Sequence, residues 1–414
     1  MRSETLTRAG LREYPGNVKK PRVAIVRCPD YEPGRVREAV AQAVSLIGGA
    51  ENLTRPGETV LVKPNLLSAR PPEDAVTTHP AVVQAAIELF MQRGAHVLLG
   101  DSPPLAGERE ASYRRLLEIT GMSGVAERTG AEIVRFEEAS VTVRQPQGRC
   151  YRTFEIARAV TEADALISVS KLKTHGLTFL TAAVKNVFGC IPGRRKAFFH
   201  AQAAEDPEIF SQMLVDLLGA IRPRLSILDA IVAMDGDGPV DGRLRNLGLI
   251  LAGTDPVALD AVACAVLGVD PLALDTTRLA AAQGLGVADL EAAEVVGERI
   301  EDVASGGFLE PQSRNRWTQI PKPLRDMLKN QLIPFPCVTS ACQNCGACVT
   351  ACPVRTIQPG RERPRIVLGG CIRCYCCREV CEYSAIGLRV GRLSAGLRFV
   401  GDARRAVLRF AGRR

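Results

Sequence analysis

Runs of aliphatic and β-branched residues alternate with stretches of helical periodicity over roughly the first three hundred residues of the chain. The strand-like runs are Val23–Val26, Thr59–Val62, His96–Leu99, Ala165–Val169, Leu225–Leu228 and Leu247–Leu251. Between them, apolar residues recur at intervals of three and four, as in Val36–Ile47, Pro80–Arg93, Pro207–Ile221 and Asp255–Leu267. Short, wholly apolar strands separated by helices predict an α/β fold, a mainly parallel sheet with helices on both faces. No repeat of solenoid length is visible in the sequence.

The pattern stops near residue 310, which bounds an α/β domain over 1–310. Residues 311–336 hold five prolines and the chain's one tryptophan, Trp317, and read as a linker. Ten of the fourteen cysteines then fall between Cys337 and Cys381, so 337–390 reads as a small metal-binding α+β module. A basic tail, 391–414, closes the chain.

Composition narrows the class. With 46% hydrophobic and 24% charged residues in 414, the chain is globular and built of more than one domain. No apolar run approaches the roughly 18 residues of a membrane span. Met1 to Lys20 carries charges without an apolar stretch, so the expected compartment is the cytoplasm. Clustered cysteines in such a chain point to metal rather than disulfides. The net charge of +8 is concentrated at the end, where eight arginines from Arg389 onward face one acid, Asp402. The nearly neutral remainder gives no reason to expect nucleic acid as a partner. The tail, with Leu393, Leu397, Val400, Val407, Leu408 and Phe410 among its arginines, reads as a contact for an anionic membrane or an acidic protein.

The cysteines form two runs of equal spacing. Cys342-Gln-Asn-Cys345-Gly-Ala-Cys348-Val-Thr-Ala-Cys352-Pro353 is followed by Cys371-Ile-Arg-Cys374-Tyr-Cys-Cys377-Arg-Glu-Val-Cys381, with Glu382 in place of the proline. Zinc sites favour two Cys-x2-Cys pairs across a long gap, which this is not. The module resembles bacterial-type ferredoxins with two 4Fe–4S clusters, in which the fourth cysteine of each run ligates the other cluster. The resemblance implies Cys342, Cys345, Cys348 and Cys381 on one cluster, and Cys371, Cys374, Cys377 and Cys352 on the other. It also implies one-electron transfer with a donor or acceptor protein. Cys337 and Cys376 are left over.

In the first domain, polar turns follow the strands. They contribute Lys63, Asn65, Asp101, Lys171, Lys173, His175, Asp229 and Asp255. In open α/β sheets, ligands bind beyond the carboxyl ends of the strands, so parallel strands would gather these residues round one crevice. Lys185 and Asn186 follow in a helix before a Gly/Pro loop. Other readings stand beside this one: Asp255-Pro256 suits a helix cap, Asp101-Ser102-Pro103 a plain turn, and a lone His175 a structural role. Neither a phosphate-binding Walker loop nor a Gly-x-Gly-x-x-Gly turn is present, so nothing supports ATP or NAD.

Val62-Lys-Pro-Asn65, Thr78-His-Pro80, Asp101-Ser-Pro103, Lys171-Leu-Lys-Thr-His175, Val184-Lys-Asn-Val-Phe-Gly189, Asp235-Gly-Asp-Gly-Pro239 and Gly253-Thr-Asp-Pro256 resemble the signature turns of a prokaryotic family. It is known as domain of unknown function 362, often found beside ferredoxin modules. The resemblance implies no particular reaction.

Two functions follow. One is a reductase in which the clusters deliver electrons to a small anionic substrate. Lys171, Lys173, His175 and Asp101 would be catalytic, and Lys63, Asn65, Lys185, Asn186, Asp229 and Asp255 would bind substrate. A flavin in the crevice is compatible with this, although no motif calls for one. The alternative is a non-enzymatic electron carrier or assembly factor whose α/β domain recognises a partner.

Overall fold

The structure, a computed structural model, describes residues 5–6, 20–311 (apart from 105, 106, 108, 194, 204 and 205) and 334–389. The linker, except at its ends, and the basic tail lie outside the described residues.

The main sheet has nine strands. They are β1 (Arg22–Arg27), β2 (Thr59–Lys63), β3 (His96–Leu99), β4 (Glu132–Ile133), β5 (Ala165–His175), β6 (Phe179–Thr181), β7 (Leu225–Asp235), β8 (Arg243–Gly253) and β9 (Glu294–Gly297). The order across the sheet is β9-β1-β8-β7-β5-β2-β3-β4, with β6 hairpinned onto β5. The strands β7, β5, β2, β3 and β4 are mutually parallel, while β8 runs antiparallel to both β7 and β1. Alternate residues go to opposite faces, as period-two geometry requires. Val60, Val62, Ile167 and Val169 pack under the helices Pro33–Leu46 and Pro80–Met91. Leu61 and Leu166 pack on the other face with Pro207–Ile221. The α/β fold with helices on both faces is therefore as the periodicity predicts.

Two features differ from the sequence reading. The polar residues after Val169 and Leu228 do not begin turns: β5 and β7 each run eleven residues, and Lys171 and Asp229 sit opposite one another in their register. Because β8 is antiparallel, its carboxyl end, with Gly253 and Asp255, points to the opposite edge of the sheet from those of β2, β3 and β5.

The C-terminal module has two two-stranded antiparallel sheets, Phe335–Val338 with Ile386–Arg389 and Ile357–Gln358 with Arg365–Ile366. Two short helices, Ala347–Ala351 and Cys376–Glu379, complete it. Among the described residues no helix is long and apolar enough to cross a membrane.

Candidate functional site

The carboxyl ends of β2, β3 and β5 open on a crevice of roughly 230 Å³, whose far wall is the cysteine module. Lys63, last residue of β2, is buried and donates to Pro64 O (2.9 Å) and Asn186 Oδ1 (3.3 Å) while pairing with Asp101 Oδ1 at 2.8 Å. Asp101, two residues past β3, also accepts the Leu66 N–H (2.7 Å) and the Ser102 N–H (2.9 Å). The backbone at Gly189 crosses this pair so closely that a Cβ would lie 2.1 Å from Asp101 Oδ1 and 2.5 Å from Lys63 Nζ. The Val-Phe-Gly motif thus needs its glycine for close approach.

His175 ends β5. Its Nδ1 accepts the N–H groups of Leu177 (3.2 Å) and Thr178 (3.4 Å), which leaves the proton on Nε2, and Nε2 donates to Glu379 Oε1 of the module at 2.9 Å. Burial, then the Lys185 charge, lowers its pKa to about 4. Both ring nitrogens are engaged, and the Nε2 bond to Glu379 links the α/β domain to the module. Burial alone would raise the Glu379 carboxyl, but the His175 hydrogen bond and Lys185 hold it below the usual carboxylate range.

Lys185 is one of two cations on the crevice with no side-chain partner among the described residues, the other being the exposed Arg355 of the module. Lys185 is half-buried and lines the cavity. Burial lowers its pKa, partly offset by Glu379 and the Cys376 thiol. Asn186 beside it donates to Ser168 Oγ at 2.8 Å. Lys196, on the helix Arg195–Ala203, donates to Ser102 Oγ at 2.6 Å, and burial lowers its pKa to about 8. His200, one turn on, is stacked on Phe210 and lowered by burial to about 4.

Of the residues expected round the crevice, Asn65, Asp101, His175, Lys185 and Asn186 line it, and Lys63 stands directly behind. Lys171, Lys173, Asp229 and Asp255 do not line it. Lys171 pairs inside the sheet with Asp229 at 2.9 Å and donates to Tyr31 Oη at 2.7 Å. Lys173, buried and pushed well below its ordinary pKa by desolvation and then by Lys185, donates to Val76 O. Asp255 caps the helix Pro256–Val266 through the N–H groups of Val257 and Ala258, at the opposite sheet edge. The sequence reading missed Lys196, His200 and Glu379. Lys196 follows two arginines with nothing to set it apart, whereas Glu379 was visible as an acid facing Thr350 at the matching place in the other run.

The module presents its thiols in two sets. Cys342, Cys345, Cys348 and Cys381 line one small cavity. Burial, then the neighbouring Cys381, Cys345 and Cys342, pushes the Cys348 thiol up to about 11. Cys377 is raised by burial and then by Cys374, Cys371, Cys348 and Cys352. Crowded buried thiols are costly to ionise unless a cationic centre compensates them, which fits iron–sulfur ligation. Among the described residues no three His, Cys, Asp or Glu side chains converge as a single metal ion needs. The backbone supports the same reading. Left-handed residues fall at matching places in the two runs: Asn344 and Arg373, Gly346 and Tyr375, Arg355 and Ser384. Thr356 N–H and Ala385 N–H, also equivalent, donate to Cys352 Sγ (3.3 Å) and Cys381 Sγ (3.2 Å). Glu382, in place of the second proline, pairs with Arg115 of the α/β domain. Arg378 and Ser384 both bind Asp241, at 3.0 and 2.6 Å. Cys376 lines the crevice, and Cys337 lies in the strand Phe335–Val338.

Residues 338–358 match the 4Fe–4S binding domain, over the first cysteine run. A thylakoid-associated protein of Synechocystis sp. is 35% identical over 245 residues, 59% of this chain and 74% of that protein. Among solved structures, a Thermotoga maritima protein aligns with a TM-score of 0.36 at 13% identity, over 62% of this chain and 60% of its own. The lactate racemase apoprotein of Thermoanaerobacterium thermosaccharolyticum aligns with a TM-score of 0.34 at 11% identity, over 59% and 57%. Residues 60–265 match the domain of unknown function DUF362, and the chain belongs to that family, with an iron–sulfur module at its C-terminal end.

Proposed function

We propose that the protein is a reductase of a small anionic substrate bound in the crevice between the two domains. The carrying observation is that Lys185, an unpartnered ammonium, and the thiol ligand Cys352 line the same cavity. Two 4Fe–4S clusters, one on Cys342, Cys345, Cys348 and Cys381 and the other on Cys371, Cys374, Cys377 and Cys352, would supply electrons one at a time. Lys185 grips the anion, with Asn65 and Asn186 beside it. Lys63 and Asp101 set the wall and are satisfied by one another. Lys196, with a pKa of about 8, is the group in the wall suited to hold and give a proton near neutral pH. The half-buried crevice, closed by the module, limits water at the bound substrate.

The test is anaerobic. Protein reduced with dithionite and freed of excess reductant is mixed with a panel of small carboxylates and phosphates, and reoxidation is followed near 400 nm (about the absorption expected of such clusters). Lys185→Ala should raise the half-saturating anion concentration by about ten- to a hundredfold, the loss of one charge-assisted contact of roughly 1.5–3 kcal/mol, with iron content unchanged. Reduced protein that no anion reoxidises, while a protein partner does so with the crevice mutated, would establish the carrier reading instead.

A further inference from the structure

The two thiol sets are not equivalently placed. The set containing Cys352 backs onto the crevice, whereas the set containing Cys345 opens away from it, with Cys345 itself exposed. Over that outer set lies the hairpin formed by Ile357–Gln358 and Arg365–Ile366. Asn344, two residues from Cys342, pins the hairpin's turn by donating to Gly360 O and Arg361 O, both at 3.1 Å. Pro364 forms part of the cavity wall beside the four thiols. The turn is tight, since a Cβ on Gly360 would lie 2.2 Å from Arg363 O.

That fixed turn carries Arg361 and Arg363, and the strand after it begins with Arg365; all three are exposed, against one acid, Glu362. None of the three has an ion-pair or hydrogen-bond partner for its side chain among the described residues. The charges on the side of the module that meets the α/β domain are paired instead: Arg378 with Asp241 and Glu382 with Arg115. Tyr383, 44% exposed, lines the same outer cavity as Pro364, the residue between Arg363 and Arg365, and adds an aromatic anchor. An aromatic residue with a rim of unpaired arginines has the composition of a protein-binding surface.

We propose that this rim is the docking surface for an acidic one-electron carrier protein. This rests on the reading of the module as an electron-transfer unit. The exchange is of one electron, the carrier being oxidised and the outer thiol-ligated centre reduced, with no bond made or broken. The arginines steer the acidic partner, an effect that raises association rates by about 10- to 1000-fold and falls steeply with salt. The crevice side is shut off by the α/β domain, so the substrate and the carrier are served by different faces.

The test compares the reconstituted protein with the Arg361→Glu/Arg363→Glu double variant. The probe is a reduced, acidic bacterial two-cluster ferredoxin, with binding measured calorimetrically and reduction by stopped flow at low and high salt. The proposal expects the double variant to lose on the order of tenfold or more in association rate at low salt, to flatten the salt dependence, and to weaken binding. Reduction by photoreduced deazaflavin, which needs no docking, and iron content should be unchanged. Equal affinity and equal salt dependence in parent and variant overturn it. Binding of duplex DNA or phosphatidylglycerol vesicles that the double variant abolishes, with no binding of the ferredoxin, also overturns it. A parent that takes up no iron defeats the electron-transfer reading itself, a failure visible before any docking is measured.

Discussion

Replacing Lys171 with alanine removes one member of an ion pair that lies inside the sheet, between β5 and β7. The Nζ–Oδ2 distance to Asp229 is 2.9 Å and both side chains are almost wholly excluded from solvent. At an effective dielectric constant of about 20, that separation corresponds to about 6 kcal/mol of Coulomb attraction. Most of it offsets desolvation, so the useful quantity is the cost of leaving Asp229 charged and unpaired, about 3–5 kcal/mol. Tyr31 deepens the loss, because its hydroxyl receives from Lys171 and donates to Asp229 at 2.9 Å. The expected fall in thermal midpoint is on the order of 10 °C for a domain of this size. Asp229 also accepts the His79 N–H at 3.0 Å, so an apolar partner at 229 would strand that donor. A Lys171→Met/Asp229→Asn double variant keeps the acceptor and removes both charges, and should recover about 1–3 kcal/mol relative to the sum of the single changes. Urea unfolding followed by far-ultraviolet circular dichroism measures all four proteins. If Lys171→Ala unfolds like the parent but loses anion affinity, the side chain reaches the ligand and the placement inside the sheet is refuted.

Gly189→Ala should disrupt the Lys63–Asp101 pair beneath the crevice, since its Cβ would overlap both groups, and anion binding by calorimetry should fall while helix content is kept. His200 is held near pKa 4 by burial, below its ordinary value of 6.5, so the fold favours the neutral ring; its contribution is fully present above about pH 6.5 and is lost as the pH falls toward 4. His200→Phe, which keeps the stack on Phe210, should remove up to about 3 kcal/mol of that acid dependence, measured by urea unfolding across pH. Cys345→Ser and Cys374→Ser should each lose or convert one cluster by iron analysis and electron paramagnetic resonance, while Cys376→Ser keeps both. Truncation after Val390 should leave iron content intact and abolish salt-sensitive sedimentation with anionic vesicles, because every assigned thiol ligand precedes the cut.

The apolar runs carried the fold because each central strand is buried on both faces and so lacks ambiguity of pattern. They failed where polarity and burial part company. Lys171, Lys173 and Asp229 read as turn residues, yet two strands continue through them, because Lys171 and Asp229 satisfy one another across neighbouring strands and Lys173 donates to the Val76 carbonyl. Strand direction was equally invisible: Leu247–Leu251 looks the same in either sense, and its antiparallel course is what sends Asp255 to the far edge. The thiol spacing was legible because metal geometry fixes it locally. Glu379 and Lys196 were not, since their role depends on two segments far apart in sequence meeting at one wall.

The matched left-handed residues of the cysteine runs bear on how the molecule is assembled. Arg373, Tyr375, Asn344, Arg355 and Ser384 hold φ values from 48° to 59°, a conformation that costs a non-glycine residue about 1 kcal/mol or more. In a module with so small an apolar core, ligation of the thiols would be the main support for those turns. Glu379, Arg378 and Glu382 reach their α/β partners from the segment between the left-handed Tyr375 and Ser384. We therefore expect completion of the crevice to follow maturation: a newly made chain short of iron should have a folded platform with one wall and gain the other when its metal is loaded.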